Sequence, residues 1–285
     1  MTAGAIGLIR VGGSDVAVTR LAFGCARIFS GKESHASARL IEAALAVGIR
    51  HFDTAPSYSG GQSEELLGSV LAGIPDVTIA TKVGIPSGDA GTSPLGTLYR
   101  RAVRPVLAQF PGLKSGLLRL ARRAQRPGAA HQVATDIVRR ELTRDEILRE
   151  LDGSLARLRR ARVDLLMVHE PDRLQLTAAA QETFADLQRQ GLIGAFGLAW
   201  DRAVPDPPPF GQVVQARYDA EATLPLRLET RLFHGVMRHA GGRQLAAVDR
   251  VRHAYMRHPA SSIVFSASHP SQIREIVQQA TAQCH

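Results

Sequence analysis

The 285-residue chain has few residues of several kinds, and each shortage excludes a class of protein. Its two cysteines, Cys25 and Cys284, are far apart, so neither a disulfide framework nor a zinc site is indicated. No apolar run approaches the length that spans a bilayer. The first residues, MTAGAIGLIRVGG, lack the charged start, apolar core and cleavage site of a secretory signal peptide. We therefore expect a cytoplasmic protein with no membrane partner and no metal site.

Acidic residues are missing from one long stretch. From Gly91 to Thr135 there is no Asp or Glu, although this stretch supplies most of the formal net charge of +9. A basic segment invites a nucleic-acid interpretation, and a solvated, Arg-rich helical face is the alternative. No zinc finger, RNA-binding motif or interleaved aromatic pattern accompanies the arginines, so we favour the second and expect no nucleic-acid partner.

The order of apolar segments indicates the fold. Short apolar strands alternate with helical patterns, and the strands number eight, which predicts an α/β protein with an eight-stranded parallel (β/α) TIM-type barrel. We expect a single domain over 1–285, with a basic insert at about 84–141 folded over the barrel mouth. The runner-up, a doubly wound sheet, is unsupported because no GxGxxG motif follows a strand.

Two of the outer helices are expected to be abbreviated. The prolines of WDRAVPDPPPFG forbid a fifth helix, and DAEATLPLRLE is too short for more than a turn or two of the sixth. The strand residues Val213, Val214 and Leu232 would then need another partner, either a second copy in a homodimer or the C-terminal segment.

Four residues carry most of the chemistry. Asp53 and Tyr58 lie in HFDTAPSY, Lys82 in TIATKVG and His169 in VDLLMVHEPD, each just past an apolar run. Taken singly, each has a structural explanation as a core lysine, a core histidine or a loop tyrosine. At successive strand ends, where the catalytic groups of barrels collect, they favour a catalytic site.

These groups are the parts needed to protonate a carbonyl oxygen. Tyr58 is the candidate acid, and Lys82 is expected to lower the pKa of its phenol. Asp53 would keep Lys82 charged, and His169 would donate to the carbonyl oxygen or orient it. Lysine is also scarce, since the chain has three lysines and 32 arginines.

The motifs resemble the aldo-keto reductase family. GIRHFDTAPSYSGGQSEELLG is similar to its second strand, loop and following helix, TKVG to its third strand, and LDGSLARLRRARVDLLMVHEPD to its third helix and fourth strand. Weaker matches are GLIGAFGLAW, QVVQARYD and SIVFSASHPSQIREIV. The resemblance implies a barrel that reduces an aldehyde or ketone with a nicotinamide cofactor, and it assigns the same roles to Tyr58, Lys82, Asp53 and His169.

The resemblance also implies residues that bind the nicotinamide. The family usually has a Ser-Asn pair after its fifth strand for the carboxamide, where this chain has Ala199 and Trp200. Trp200 is either a residue that shapes the pocket or an ordinary rim or core aromatic. Gln215 matches a second carboxamide contact, and His234 in FHGVM aligns with the residue that stacks on the nicotinamide ring.

The last strand and helix correspond to the family's adenosine-phosphate site. Ser266 stands where a lysine is frequent and Gln272 where an arginine is frequent, while Ser268 is a nearby hydroxyl. Glu275 matches the family's adenine-contacting glutamate, and Arg274 lies beside it. Because a helix N-terminus still attracts anions, we expect NADP(H) to be preferred modestly over NAD(H).

The sequence therefore predicts an NADP(H)-preferring oxidoreductase with a small-molecule carbonyl substrate. The alternative is a catalytically weak nicotinamide-binding barrel that acts as a sensor or partner module, motivated by the Ala199-Trp200 pair, the abbreviated helices and the insert. A third interpretation is an RNA- or anion-binding protein built on a barrel.

Overall fold

The structure, a computed structural model, describes residues 5–29, 34–85, 141–200, 209–218, 230–238 and 245–282. Its strands are β1 (Leu8–Arg10), β2 (Ala17–Thr19), β3 (Leu21–Gly24), β4 (His51–Asp53), β5 (Thr78–Val83), β6 (Val163–His169), β7 (Ile193–Trp200), β8 (Val213–Arg217), β9 (Thr230–His234) and β10 (Ser261–Phe265). Strands β3 to β10 close into a barrel in the order β10-β3-β4-β5-β6-β7-β8-β9. Every neighbouring pair in it is parallel, so the predicted eight-stranded parallel barrel is confirmed.

The helices lie between the strands along the chain. The described ones are α1 (Ser34–Ala46), α2 (Gln62–Val70), α3 (Arg144–Leu158), α4 (Ala178–Arg189), α5 (Ala247–Arg257) and α6 (Pro270–Thr281). Helix α3 begins with a capping box, in which Thr143 and Glu146 exchange two hydrogen bonds. Within the described residues, no helix combines the length and the apolar character needed to cross a membrane.

Two apolar clusters separate the inside of the barrel from its outside. The interior cluster contains Ala80, Met167 and Ala199 together with Val16 and other residues of the N-terminal hairpin. The hairpin pairs β1 with β2 and covers the amino-terminal end of the barrel, where Val16 packs over the second residue of β7. The outer cluster lies between strands and helices.

Strand alternation corrects the assignment of two residues to the flank that was expected to be uncovered. Val213 and Leu232 belong to the interior cluster and are fully buried, so they need no outer partner. Only Val214 of the three faces the outer cluster. Part of the reason for expecting a homodimer is thereby removed. The expected fifth and sixth helices and the basic insert fall mainly on 201–208, 219–229 and 86–140, which lie outside the described residues.

Candidate active site

Three adjacent strands bring the four predicted residues to one end of the barrel. Asp53 ends β4, Lys82 is the penultimate residue of β5, and His169 ends β6. Tyr58 begins a short 3-10 turn that follows β4 and leads into α2. Because parallel strands end on the same rim, residues separated by more than a hundred positions in the chain meet at the carboxyl-terminal face.

Lys82 is the centre of this cluster. Its side chain is 1% exposed. The ammonium donates to Oδ1 of Asp53 at 2.8 Å, to the carbonyl oxygen of Thr54 at 2.8 Å and to the hydroxyl oxygen of Tyr58 at 3.4 Å. Three acceptors match the three donors of an ammonium. Burial by itself lowers the pKa of Lys82, but Asp53 and Tyr58 together raise it above its ordinary value. Lys82 is therefore charged at neutral pH.

At the phenol of Tyr58, burial outweighs the predicted effect of Lys82 on the pKa. Burial raises its pKa, and Asp53 and Glu170 add to that increase through their negative charges. Lys82 lowers the pKa by charge and by its hydrogen bond, yet the net direction is upward. The predicted lowering by Lys82 is therefore present, but the increase from burial, Asp53 and Glu170 exceeds it. The phenol consequently keeps its proton at neutral pH.

His169 is held against Tyr58 at the rim. The two rings meet edge to face with centroids 5.9 Å apart, and His169 is 9% exposed. The hydroxyl of Ser57 lies 3.4 Å from Nδ1 of His169. Ser57 was not among the predicted site residues, although its place directly before Tyr58 in the motif is a signal that could have identified it. These contacts limit rotation of the imidazole.

Strained backbone follows two of these residues directly. Ser59, after Tyr58, has φ 54°, and Glu170, after His169, has φ 44°. Side chains at such positive φ values are uncommon and cost on the order of 1–3 kcal/mol, and such strain gathers at functional sites. The surrounding structure therefore imposes the backbone conformation directly after Tyr58 and His169.

Gln215 contacts a member of the predicted catalytic set. It lies within β8, beside Ala199 of β7, and its Nε2 donates to Oδ1 of Asp53 at 2.8 Å. The amide orientation follows from chemistry, since an ionised carboxylate only accepts and must face the NH₂ group. Gln215 therefore supports the oxygen that also receives the Lys82 ammonium.

The other residues expected near the nicotinamide do not all face the same side of the barrel wall. Ala199 lies in the interior cluster, whereas Trp200 packs in the outer cluster and is 8% exposed. Alternation places consecutive residues on opposite faces, so the structure supports the core-aromatic alternative for Trp200. His234 ends β9 two residues after Leu232, on the same face as that interior residue, and is partly buried.

The residues expected at the adenosine phosphate make local hydrogen bonds. Ser266 donates to the carbonyl oxygen of Gly24 at 3.1 Å. The side-chain oxygen of Gln272 accepts from the backbone N–H groups of Ser268 at 2.9 Å and His269 at 3.2 Å. The N–H groups of these two residues before α6 are thus already bonded within the protein. Glu275 is exposed on α6, as is the neighbouring arginine.

A buried carboxylate behind the cluster was also missed. Glu64 of α2 is fully buried and accepts from Oγ1 of Thr81 at 2.6 Å and from Nε of Arg157 at 2.7 Å. One signal was available, because Glu64 shares its helix face with the buried Leu67 three residues later. Within the described part of the chain, no group of three His, Cys, Asp or Glu residues is placed to hold a metal ion.

Comparison with known sequences gives consistent matches. The model of the Aldo/keto reductase family matches residues 20–203. A D-threo-aldose 1-dehydrogenase from a Pseudomonas species is 30% identical over 195 residues, which cover 65% of this chain and 51% of that protein. The aldo-keto reductase YhdN of Bacillus subtilis is 27% identical over 172 residues, which cover 60% of this chain and 39% of that protein. The chain thus spans about half, or less, of the length of these curated relatives.

Solved structures are similar over nearly the whole chain. An aldo-keto reductase from Bacillus halodurans, in its holo form, has a TM-score of 0.66 at 16% identity and covers 98% of this chain and 92% of its own. The glycerol dehydrogenase of Gluconobacter oxydans has a TM-score of 0.64 at 18% identity, and the match covers 95% of this chain and 89% of that protein. These likenesses agree with the closed barrel and its strand order.

Proposed function

Because this chain belongs to the aldo/keto reductase family, we propose that it is a nicotinamide-dependent oxidoreductase that reduces an aldehyde or ketone to an alcohol. The observation that carries the proposal is the buried ammonium of Lys82, which contacts both Asp53 and the hydroxyl of Tyr58 at the carboxyl-terminal end of the barrel. A charged lysine beside a phenol stabilises the phenolate that forms when the phenol donates its proton to a carbonyl oxygen.

Tyr58 is the proton donor in this proposal. Its buried phenol has a raised pKa and therefore carries its proton at neutral pH. When the proton leaves, the ammonium of Lys82 stabilises the resulting phenolate at close range. Asp53 keeps that ammonium charged, because a buried lysine without a counter-ion would lose its proton. The bound nicotinamide would supply the hydride to the carbonyl carbon.

His169 is proposed to orient the carbonyl oxygen. Its ring is positioned by the edge-to-face contact with Tyr58 and by the Ser57 hydroxyl at Nδ1. A positioned imidazole beside the acid can donate a hydrogen bond to the oxygen that gains negative charge. Both residues would then act on the same reactant atom.

The residues at the nicotinamide end fit a carboxamide. The Nε2 group of Gln215 is directed to Asp53, which makes Oε1 the atom that would accept from a carboxamide N–H. Ala199 has a small side chain in the barrel interior, and His234 ends β9 on the interior face. We propose that these three residues hold the nicotinamide, with Gln215 as its polar contact.

The preference for NADP(H) over NAD(H) is proposed to be modest. A 2′-phosphate near α6 would meet Ser266, Ser268 and Gln272, and the two N–H groups before the helix are already bonded to the Gln272 oxygen. Arg274 is the exposed cation of that helix turn, with Glu275 next to it. A site with neutral side chains and occupied donors attracts phosphate less strongly than a site with a lysine or arginine side chain.

A carbonyl panel tests the proposal. The decrease in NADPH absorbance should be followed with aldehydes, ketones and sugars, because one relative is named D-threo-aldose 1-dehydrogenase. We expect turnover with at least one class of small carbonyl compound and its loss in Tyr58→Phe. Equal turnover in the wild type and in Tyr58→Phe would show that the assigned acid is wrong.

A second candidate is a barrel that binds the cofactor with little turnover. It is favoured by the end of β7, where Ala199 offers no side-chain hydrogen bond and Trp200 packs in the outer cluster. Cofactor binding by fluorescence titration, combined with no turnover across the panel, would support this candidate. Turnover that requires Tyr58 would exclude it.

A further inference from the structure

A polar network outside the barrel touches both the strand that carries Lys82 and the turn that carries Tyr58. Glu64, in the first turn of α2, accepts from Oγ1 of Thr81 at 2.6 Å and from Nε of Arg157 at 2.7 Å. Glu64 and Thr81 are fully buried, and the Arg157 side chain is 24% exposed. None of the three residues belongs to the proposed reaction path.

One connection runs through β5. Thr81 directly precedes Lys82, and alternation places its hydroxyl on the helix side of the strand while the lysine faces the barrel interior. The bond from Thr81 to Glu64 therefore fixes β5 against α2 at the residue next to the catalytic ammonium. A shift of β5 along α2 would move the lysine relative to the phenol.

The other connection runs through the turn after Tyr58. Gly61 ends this turn with φ 88°, and a Cβ atom on it would lie 2.9 Å from Cδ of Arg157. The arginine stem thus packs directly on the backbone three residues after Tyr58. The preceding Ser59 and Gly60 also have positive φ values, of 54° and 66°, so the turn depends on its surroundings for its conformation.

Helix α3 is held in place for this contact. A Cβ atom on Gly68 of α2 would lie 2.8 Å from Cα of Leu158 in α3, so only glycine permits this close approach. Nη2 of Arg157 also contacts the hydroxyl of Ser154 at 3.4 Å, one turn earlier in α3. The guanidinium is therefore directed at Glu64 by its own helix.

We infer that Arg157 and Glu64 are positioning residues that hold the phenol of Tyr58 beside the ammonium of Lys82. The inference rests on the proposed function for its kinetic part, but the geometry it concerns exists without any substrate. A small displacement at a reacting group, of about 1 Å, can lower a rate on the order of a hundredfold. The pair would act on turnover through the contact between Lys82 and Tyr58, which is already long at 3.4 Å.

The test compares Arg157→Met with Arg144→Met on the same helix. Arg144 also forms an ion pair, with Asp186, but its side chain is 49% exposed and that of Asp186 is 30% exposed. We expect Arg157→Met to lower kcat by about tenfold to a hundredfold, with KM and the cofactor Kd changed less than about threefold. Arg144→Met should leave all three constants near the wild-type values. Arg157→Lys should recover part of kcat, since lysine keeps the charge but not the planar group.

A spectroscopic measurement makes the test independent of turnover. Phenolate formation at Tyr58 is obtained as the difference between each protein and its Tyr58→Phe counterpart during alkaline titration. In Arg157→Met the phenol should ionise at higher pH than in the wild type, because it lies farther from Lys82. Glu64→Gln, which removes the charge with little change of volume, should shift the titration in the same direction.

The outcomes separate positioning from simple stabilisation. Urea unfolding gives the folded fraction, to which kcat is normalised. If Arg157→Met and Glu64→Gln reduce stability but leave normalised kcat and the Tyr58 titration unchanged, the pair is only structural and the inference is overturned. If the wild type reduces no carbonyl compound, the proposed function fails, and the titration still decides the inference.

Discussion

The Nε2 group of Gln215 donates to the same oxygen of Asp53 that accepts from Lys82, each at 2.8 Å. These residues lie on β8, β4 and β5, so the hydrogen bonds cross the interior of the barrel. Asp53 is therefore held from two sides, and a change at Gln215 should reach the proposed proton donor through the Asp53–Lys82 pair.

Replacing Gln215 should change the way in which the free energy of unfolding depends on pH. Gln215→Leu removes one hydrogen bond to a buried charge and should lower the free energy of unfolding by about 1–3 kcal/mol. Gln215→Glu places a second carboxylate beside Asp53. The pKa of the introduced carboxyl group should therefore be higher in the folded protein than in the unfolded chain. The free energy of unfolding of Gln215→Glu, compared with that of Gln215→Leu, should then decrease as pH rises. Urea unfolding at pH 5 and pH 8 checks this, and equal differences at both pH values would contradict it.

The proposed catalytic residues should behave as one unit. Tyr58→Phe and Lys82→Met should each reduce kcat by about 10²- to 10⁴-fold, since each interrupts the same proton transfer. The double variant should be little worse than the slower single variant. Cofactor titration serves as the control, because neither substitution removes a proposed cofactor contact. Effects that multiply in the double variant would show that the two residues act separately.

The charge of Glu170 should be measurable at Tyr58. Glu170 is among the groups that raise the pKa of the Tyr58 phenol, after burial and Asp53. Glu170→Gln removes a negative charge that disfavours the phenolate, so the pKa should decrease and the alkaline limb of the kcat profile should move to lower pH. Glu182→Gln, at an exposed position of α4, is the matched control. A limb that moves to higher pH in Glu170→Gln would contradict the assignment.

His51 should make the fold sensitive to acid. Its imidazole is fully buried, Nδ1 lies 2.9 Å from Oγ1 of Thr78, and Nε2 has no hydrogen-bond partner in the described part of the chain. Burial lowers the pKa of His51 from 6.5 to about 4. Between these pH values the unfolded chain binds the proton and the folded protein does not, so stability should fall as pH decreases through this window, by on the order of 3 kcal/mol in total.

Substitution of His51 tests this pH dependence. His51→Gln should flatten the loss of unfolding free energy between pH 6.5 and pH 4, whatever its effect at neutral pH. His253→Gln, at an exposed position of α5, should leave the slope unchanged. Chemical unfolding at several pH values provides the measurement. An unaltered slope in His51→Gln would assign the acid sensitivity to other groups.

Gln272→Arg should strengthen the preference for NADPH. The substitution adds a cation near α6 and frees the N–H groups of Ser268 and His269 from the Gln272 oxygen. We expect the ratio of the NADH and NADPH dissociation constants to rise by about tenfold. Gln272→Ala frees the donors without adding charge and separates the two effects. Tighter binding of NADH than NADPH by the wild type would overturn the proposed preference itself.

The amino-acid sequence by itself determined the features that depend on neighbours in the chain. The apolar run Leu21–Gly24 forms β3, the apolar run Val163–His169 forms β6, and the capping-box pattern of Thr143 and Glu146 opens α3. The order of strands and helices predicted the parallel barrel, whose strand ends must share one rim. For that reason Asp53, Lys82 and His169 could be placed together before any contact was known.

Tertiary structure alone decided which groups meet across the barrel and what their surroundings do to them. The side to which Trp200 points and the partner of Gln215 depend on strand alternation and register, where a shift of one residue exchanges the two faces. The upward pKa of Tyr58 depends on how much water burial removes, which motifs do not encode. Glu64 has its charge partner in another helix, ninety-three residues away along the chain, so only folding joins it to Arg157.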